Sequence, residues 1–256
     1  MKLSLLQDKK TTLFLILGGI FFTNAMIGET LGMKIVSLDI LLGLSKETTG
    51  NRLNFTTGVL IWPIVFVTTD IVNEYFGKRG VRLLTFFSLI LMVYTFVLLA
   101  IFVRMPPAPF WIDLHAREAA IKPFNINYAF AHIFQQAPGI IIGSLTAFVV
   151  GQLLDSHIFH AIRRVTGAKY IWLRATGSTI ISQMIDSVLV LLIAFYFLGS
   201  PAWTLEQVFS TAAITYAYKL LVAIALTPVL YLTHYWIDSY LGITPHQITE
   251  EAMQEV

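Results

Sequence analysis

The chain has 256 residues, of which 56% are hydrophobic and only 12% charged, with a mean hydropathy of +0.73 and a formal net charge of +2. An ordinary soluble domain carries about a quarter charged residues, so this chain cannot cover a water-facing surface, and its solvent is lipid. Scattered basic residues argue against a nucleic-acid partner, and the absence of cysteine excludes thiol chemistry, disulfides and zinc–thiolate sites.

A membrane-crossing helix needs about 20 mostly apolar residues. Six stretches qualify: 12–36, 55–73, 83–103, 128–154, 175–198 and 208–232. They predict an all-α membrane protein, a bundle of six transmembrane helices forming one domain over 1–256. Lys2, Lys9 and Lys10 precede the first apolar run as in a signal peptide, but no small-x-small cleavage site follows, so the run reads as an uncleaved span carrying Asn24 and Glu29. The second span contains Pro63 and ends in Asp70 and Glu74, like charges at i and i+4, followed by Gly77, Lys78 and Arg79. Either these carboxylates form a solvated helix end balanced by the basic residues, or they serve a site. After the third span, the connection 104–127 is too rich in proline for a span and reads as a long loop, with Phe110 and Trp111 at the outer interface.

The fourth span carries His132, Gln135, Gln136 and Gln152, and a small-xxx-small pair, Gly139 and Gly143, that suits close helix packing. His157 and His160 stand beside Arg163 and Arg164, which would repel a cation, so they read as interfacial. The fifth span places Thr179, Gln183 and Asp186 on one face. Asp186 lies eleven residues beyond Ala175, about 16 Å along the axis and near the midplane. In the sixth span Lys219 lies near the middle, after Thr215 and Tyr216. Too deep to snorkel, it needs an anionic partner, with Asp186 and Glu74 the candidates. An Asp186–Lys219 bridge could serve packing alone or also contact a solute.

Positive charge sets the orientation. With the N-terminus inside, ten basic residues (Lys2, Lys9, Lys10, Lys78, Arg79, Arg82, Arg163, Arg164, Lys169, Arg174) lie in cytoplasmic segments and five (Lys46, Arg52, Arg104, Arg117, Lys122) outside. That bias places both termini in the cytoplasm; the acidic tail (Glu250, Glu251, Glu255) counts little. A centred charge costs about 2.5–3.5 kcal/mol to insert, so polar residues on at least four spans point to carriage of a small polar molecule. A scaffold with a buried ion-pair network is the competing class. No HExxH, GxxxxGK[ST] or GxSxG pattern occurs, and neither an enzyme nor a cofactor is expected.

The stretch from Asp70 to Arg79, Asp-Ile-Val-Asn-Glu-Tyr-Phe-Gly-Lys-Arg, resembles the D-x-x-x-E-x-x-G-x-[KR] signature of the queuosine precursor transporter family, the VUT-type inner-membrane proteins. Tyr170-Ile-Trp-Leu-Arg174 with Ser178 to Ser187 resembles that family's W-L-R…S-T…S-Q-x-x-D-[ST] segment, and Thr23-Asn24 its early polar pair. The likeness runs from residue 12 to about residue 235; an extended segment at 37–54 and the proline-rich loop depart from it. The resemblance implies uptake of 7-cyano- or 7-aminomethyl-7-deazaguanine across the plasma (inner) membrane, and a six-helix fold similar to the substrate-binding subunits of energy-coupling-factor transporters. The alternative it leaves is such a subunit, dependent on a separate ATPase module. A guanine edge presents two adjacent donors that one carboxylate can accept, and Trp62, Phe66, Trp172 or Tyr216 could stack on the ring. The expected substrate-binding residues are Asn24, Asp70, Glu74, Gln183, Asp186, Tyr216 and Lys219. Which carboxylate reads the substrate, and whether the protein works as a homo-oligomer, stay open.

Overall fold

A computed structural model describes residues 8–32, 34–37, 54–118, 123–167 and 170–242. The expected external segment 37–54 falls almost wholly outside the described residues, as do Lys2, Lys46, Arg52, Lys122, Lys169 and the acidic tail.

Helix α1 (Lys9–Leu31) starts at Asp8, whose side chain accepts from the backbone N–H groups of Lys10 and Thr11. An antiparallel ribbon, β1 (Ile35–Ser37) with β2 (Asn54–Thr56), lies between α1 and α2 (Gly58–Arg104) and is a small departure from an all-α chain. Within α2, Gly77 leaves the helical region at φ 63° and ψ −169°, a conformation that glycine adopts without a Cβ clash. The chain reverses there. Gly28 of α1 faces Trp62 of the first arm, while Phe14 meets both Phe76 before the turn and Gly80 after it. Leu84 then faces Gly18, and Phe87 packs on Phe22. The first arm thus runs antiparallel to α1 and the second parallel to it.

The proline-rich connection is not all loop: α3 (Pro109–Glu118) forms within it, and Phe110 is exposed. The fourth expected span is broken rather than continuous, into α4 (Ile126–Phe134) and α5 (Pro138–Thr166). Pro138 has no N–H to donate and forces Ala137 into an extended conformation (φ −62°, ψ 135°). Helix α5 then runs past the expected end at 154 and carries Asp155, His160 and Arg163 inside the bundle. Helix α6 (Ile171–Leu191) continues into a π-helical turn, Leu192–Phe197. Helix α7 (Leu205–Leu241) begins with a reciprocal capping box between Thr204 and Gln207.

Among the described residues, five helices are long and apolar enough to cross a membrane, the stretch Leu60–Arg104 being one of them. Helix α1 packs on α2, α5 on α2 and α6, and α6 on α7. Phe21, Val65, Val72, Met92 and Phe159 are almost fully buried, whereas Leu60, Ile90, Leu221 and Ile224 are exposed, as on a lipid-facing surface. Gly139 and Gly143 serve packing: a Cβ on Gly143 would lie 3.0 Å from the Val190 carbonyl oxygen, and one on Gly139 3.0 Å from Leu198 Cβ.

Candidate functional site

A cavity of about 780 Å³ opens between α1, the first arm of α2, α5, α6 and α7, within the usual range for small-molecule sites. Its walls are largely apolar, with Trp62, Phe66, Phe148, Phe195 and Trp203 among them. Trp62 lies nearly parallel to Phe66 at 6.1 Å, and Phe195 to Trp203 at 4.4 Å. Gly28 leaves room for this arrangement, since a Cβ there would sit 3.3 Å from the Trp62 indole.

Polar groups enter the cavity from every side. The first arm of α2 supplies Asp70, 6% exposed, whose Oδ1 has no hydrogen-bond partner among the described residues. Helix α6 supplies Gln183, 5% exposed, whose Oε1 likewise has none among the described residues, and Asp186 one turn further on. Lys219 of α7 donates to Asp186 Oδ2, which decides between its two candidate partners. From α1, Glu29 accepts a 2.8 Å hydrogen bond from the Ser144 hydroxyl, and its backbone carbonyl accepts one of 2.7 Å from the Gln136 amide. Gln136 reaches the cavity because the chain is non-helical at 135–137, the irregular backbone lining a cavity as membrane interiors require.

Of the seven expected residues, Asp70, Gln183, Asp186 and Lys219 line this one cavity, and Asn24, Glu74 and Tyr216 do not. Asn24 turns back along its own helix, its amide donating to the Ile20 carbonyl at 2.8 Å. Tyr216 lies off the lining, which takes Thr215 and Tyr218 instead. Trp172 is 45% exposed and also stands outside it. Glu74 lies one turn below Asp70 in an ion-pair cluster. Arg174 Nε and Nη2 donate to its two carboxylate oxygens at 2.9 and 2.6 Å, and Arg163 Nη2 stands 3.5 Å from Oε1. Arg163 Nη1 also donates to the Glu74 carbonyl, and Arg174 Nη1 to that of Gly167.

This cluster corrects three expectations. Asp70 and Glu74 are not a solvated helix end, since both are buried. Arg163 and Arg174, 3% and 1% exposed, are not loop charges; a bidentate guanidinium held by a carboxylate is what makes their burial tolerable. His160 is buried rather than interfacial, because α5 continues inward past it.

Behind the cavity wall lies Asp155, which the sequence reading passed over because the apolar run ends at Leu154. Its Oδ1 accepts from Ser182 at 3.1 Å, with Thr179 Oγ1 at 3.5 Å. Glu29 and Gln136 were also left out of the expected site. A signal for Asp155 existed: Phe148, Gly151, Gln152, Asp155 and Phe159 recur at helical spacing, so one buried face runs on through it. Among the described residues no group of histidine, aspartate and glutamate is arranged to hold a metal ion.

Residues 56–233 match the family described as "Putative vitamin uptake transporter". The "Probable queuosine precursor transporter" of Bacillus subtilis is 30% identical over 171 residues, covering 66% of this chain and 69% of that protein. A protein of the same description from Haemophilus influenzae is 27% identical over 212 residues, 80% of each chain. The "Queuosine precursor transporter" of Escherichia coli is 26% identical over 171 residues, 66% of this chain and 67% of its own. No solved structure matches the chain. With the family match spanning most of the sequence and these relatives aligned along two thirds or more of their length, this multi-pass membrane protein belongs to the queuosine precursor transporter family and is a transporter, not an enzyme.

Proposed function

We propose that the protein takes up 7-deazaguanine precursors of queuosine, 7-cyano- or 7-aminomethyl-7-deazaguanine, and binds them in the cavity between α1, α2, α5, α6 and α7. One observation carries the reading: Asp70 Oδ1 and Gln183 Oε1 are buried acceptors on the cavity lining with no donor among the described residues. A buried acceptor left unsatisfied costs about 1–3 kcal/mol, more if charged. A guanine edge brings the missing donors, N1–H and the exocyclic amine, while Trp62 and Phe66 offer stacking worth about 1–3 kcal/mol per base. The Asp186–Lys219 pair gives a second polar contact on the same lining. Asn24, Glu74 and Tyr216 have no direct part in this reading.

The same reading makes the chain one transmembrane domain of six crossings in the plasma (inner) membrane, with both termini cytoplasmic. The reversal at Gly77 supports it, leaving α2 two arms, 58–76 and 78–104, each long enough to cross. So does the 2.8 Å hydrogen bond from Lys9 Nζ to the Tyr240 carbonyl, which brings the start of α1 and the end of α7 to one face.

The test is competition for uptake into proteoliposomes by paired 7-deazapurines with and without the 2-amino group. The member lacking it should compete at least tenfold more weakly, because sites built to bond a group reject its absence strongly. Equal competition would remove the guanine edge from the reading. Equal competition by biotin or a flavin would remove the substrate class. Uptake only after adding a separate ATPase module would make the chain a binding subunit instead.

A further inference from the structure

The intramembrane charges do not balance. The ion pairs of Arg163 and Arg174 go to Glu74, and that of Lys219 to Asp186. Among the described residues no ion pair reaches Asp70 or Asp155, although both are more than nine-tenths buried. The two carboxylates lie on one stretch of the α2–α5 contact: Thr69 donates to Gln152 Oε1 at 2.9 Å and Ser156 to Asn73 Oδ1 at 2.6 Å, so the two hydrogen bonds bracket Asp70 on α2 and Asp155 on α5. Two like charges in mutual reach in a dry interior are not both retained; one is neutralised.

What neutralises them is indicated by the surroundings. Asp155 is held by hydroxyl groups of α6 that donate to it, Ser182 and Thr179, so their hydrogens, not their lone pairs, face the carboxylate. A sodium ion needs oxygen lone pairs converging on it; a proton needs only a carboxylate oxygen free to carry it. Asp70 Oδ1 is such an oxygen, and Gln183 Oε1, one turn along α6 from Thr179, is an independent buried acceptor that lacks a donor among the described residues. The other charges around the pair are committed. Glu74 on the same helix is held by Arg174 of α6 and Arg163 of α5. On α7, Lys219 is taken by Asp186, while His234 is bonded to Tyr75. Glu29 of α1 is bonded to Ser144.

From this arrangement we infer that Asp70 and Asp155 form a proton site that couples deazaguanine uptake to the proton gradient. Asp70 lines the cavity and Asp155 lies behind it, so Asp70 is shared by the two sites. The coupling rests on the substrate reading above. Ligand binding needs Asp70 as a carboxylate, and the pair keeps that charge only with the proton on Asp155. The proton and the ligand therefore favour the same state, and by linkage each raises the other's binding by the same factor.

Two measurements test this. The first needs no substrate: infrared difference spectra of the purified protein, with hydrogen–deuterium exchange, should show a protonated-carboxyl stretching band at neutral pH. That band should vanish in both D70N and D155N. If the wild type lacks the band, or either variant keeps it whole, the proton site is overturned. The second is accumulation of labelled 7-cyano-7-deazaguanine in proteoliposomes at clamped membrane potential. An outside pH one unit lower should raise accumulation up to about tenfold for one proton per substrate, and D155N should lose that response. Accumulation that follows a sodium gradient and ignores pH overturns the coupling. Should the variants fail to accumulate in the membrane, the wild-type band and the wild-type gradient response decide. A wild type that shows the band but binds no deazaguanine refutes the substrate reading and the coupling together, while the proton on the pair stands.

Discussion

Replacing Glu74 with Gln removes the counter-charge of two guanidinium groups without changing the shape of the side chain. Arg174 is 1% exposed and gives two charge-assisted hydrogen bonds to the carboxylate, at 2.9 and 2.6 Å, and Arg163 adds a third approach at 3.5 Å. Breaking one partner of a buried pair costs about 3–5 kcal/mol, because the remaining charge is stranded. At about 2–4 °C per kcal/mol for a chain of this size, the midpoint of thermal unfolding should fall by about 6–20 °C. Arg174→Gln should act similarly. The double variant should lose much less than the sum, since both substitutions delete one interaction. The assay is thermal unfolding of the detergent-solubilised protein, followed by intrinsic fluorescence or by recovery of monodisperse protein. A fall below about 2 °C for E74Q, or strict additivity in the double variant, would refute the account of this cluster as a buried clasp.

Three further outcomes are expected. Asp186→Asn should abolish or severely weaken deazaguanine binding yet unfold at a temperature closer to wild type than E74Q does, because the pair it breaks is partly solvated, with side chains 15% and 18% exposed; failure to accumulate in the membrane would make the pair chiefly structural. Gly143→Leu should lower stability by about 1–3 kcal/mol through overpacking against the Val190 carbonyl and Ala194, and an unchanged melting curve would contradict the close approach of α5 and α6. Gly28→Leu should push the Trp62 indole towards the cavity, given the 3.3 Å clearance of a Cβ there, and weaken ligand binding in an equilibrium assay while the protein stays monodisperse.

The sequence made the lipid-solvated helices legible because apolar runs of span length have few other uses, and it made Gln183 and Asp186 legible because a carboxylate at mid-depth is costly wherever it points. It could not separate Asp70 from Glu74. The two are one turn apart on one helix, and only the approach of Arg174 from α6 and Arg163 from α5 commits Glu74 to a clasp and leaves Asp70 facing the cavity. Asp155 was lost because hydropathy locates the end of a greasy run, not the end of a helix. A helix flanked on all sides by others can stay buried with polar residues, provided that each finds a partner, as Asp155 finds Ser182 and Ser156 finds Asn73. Asn24 shows the converse. A polar residue in a span can satisfy itself on the preceding turn, and no one-dimensional pattern distinguishes that from a side chain aimed at a ligand.

Glu29 also has a history that the finished bundle hides. The hydroxyl that holds it belongs to Ser144, 115 residues further along the chain. Synthesised at about 5–20 residues per second, that residue emerges about 6–23 s after Glu29. Throughout that interval α1 must reside at the insertion machinery or in the bilayer with its carboxyl group unanswered, either protonated or held at the interface near the helix end. The first helix to be made is therefore among the last to be satisfied, and the yield of correctly assembled protein should depend on what shelters Glu29 until the second half of the chain arrives.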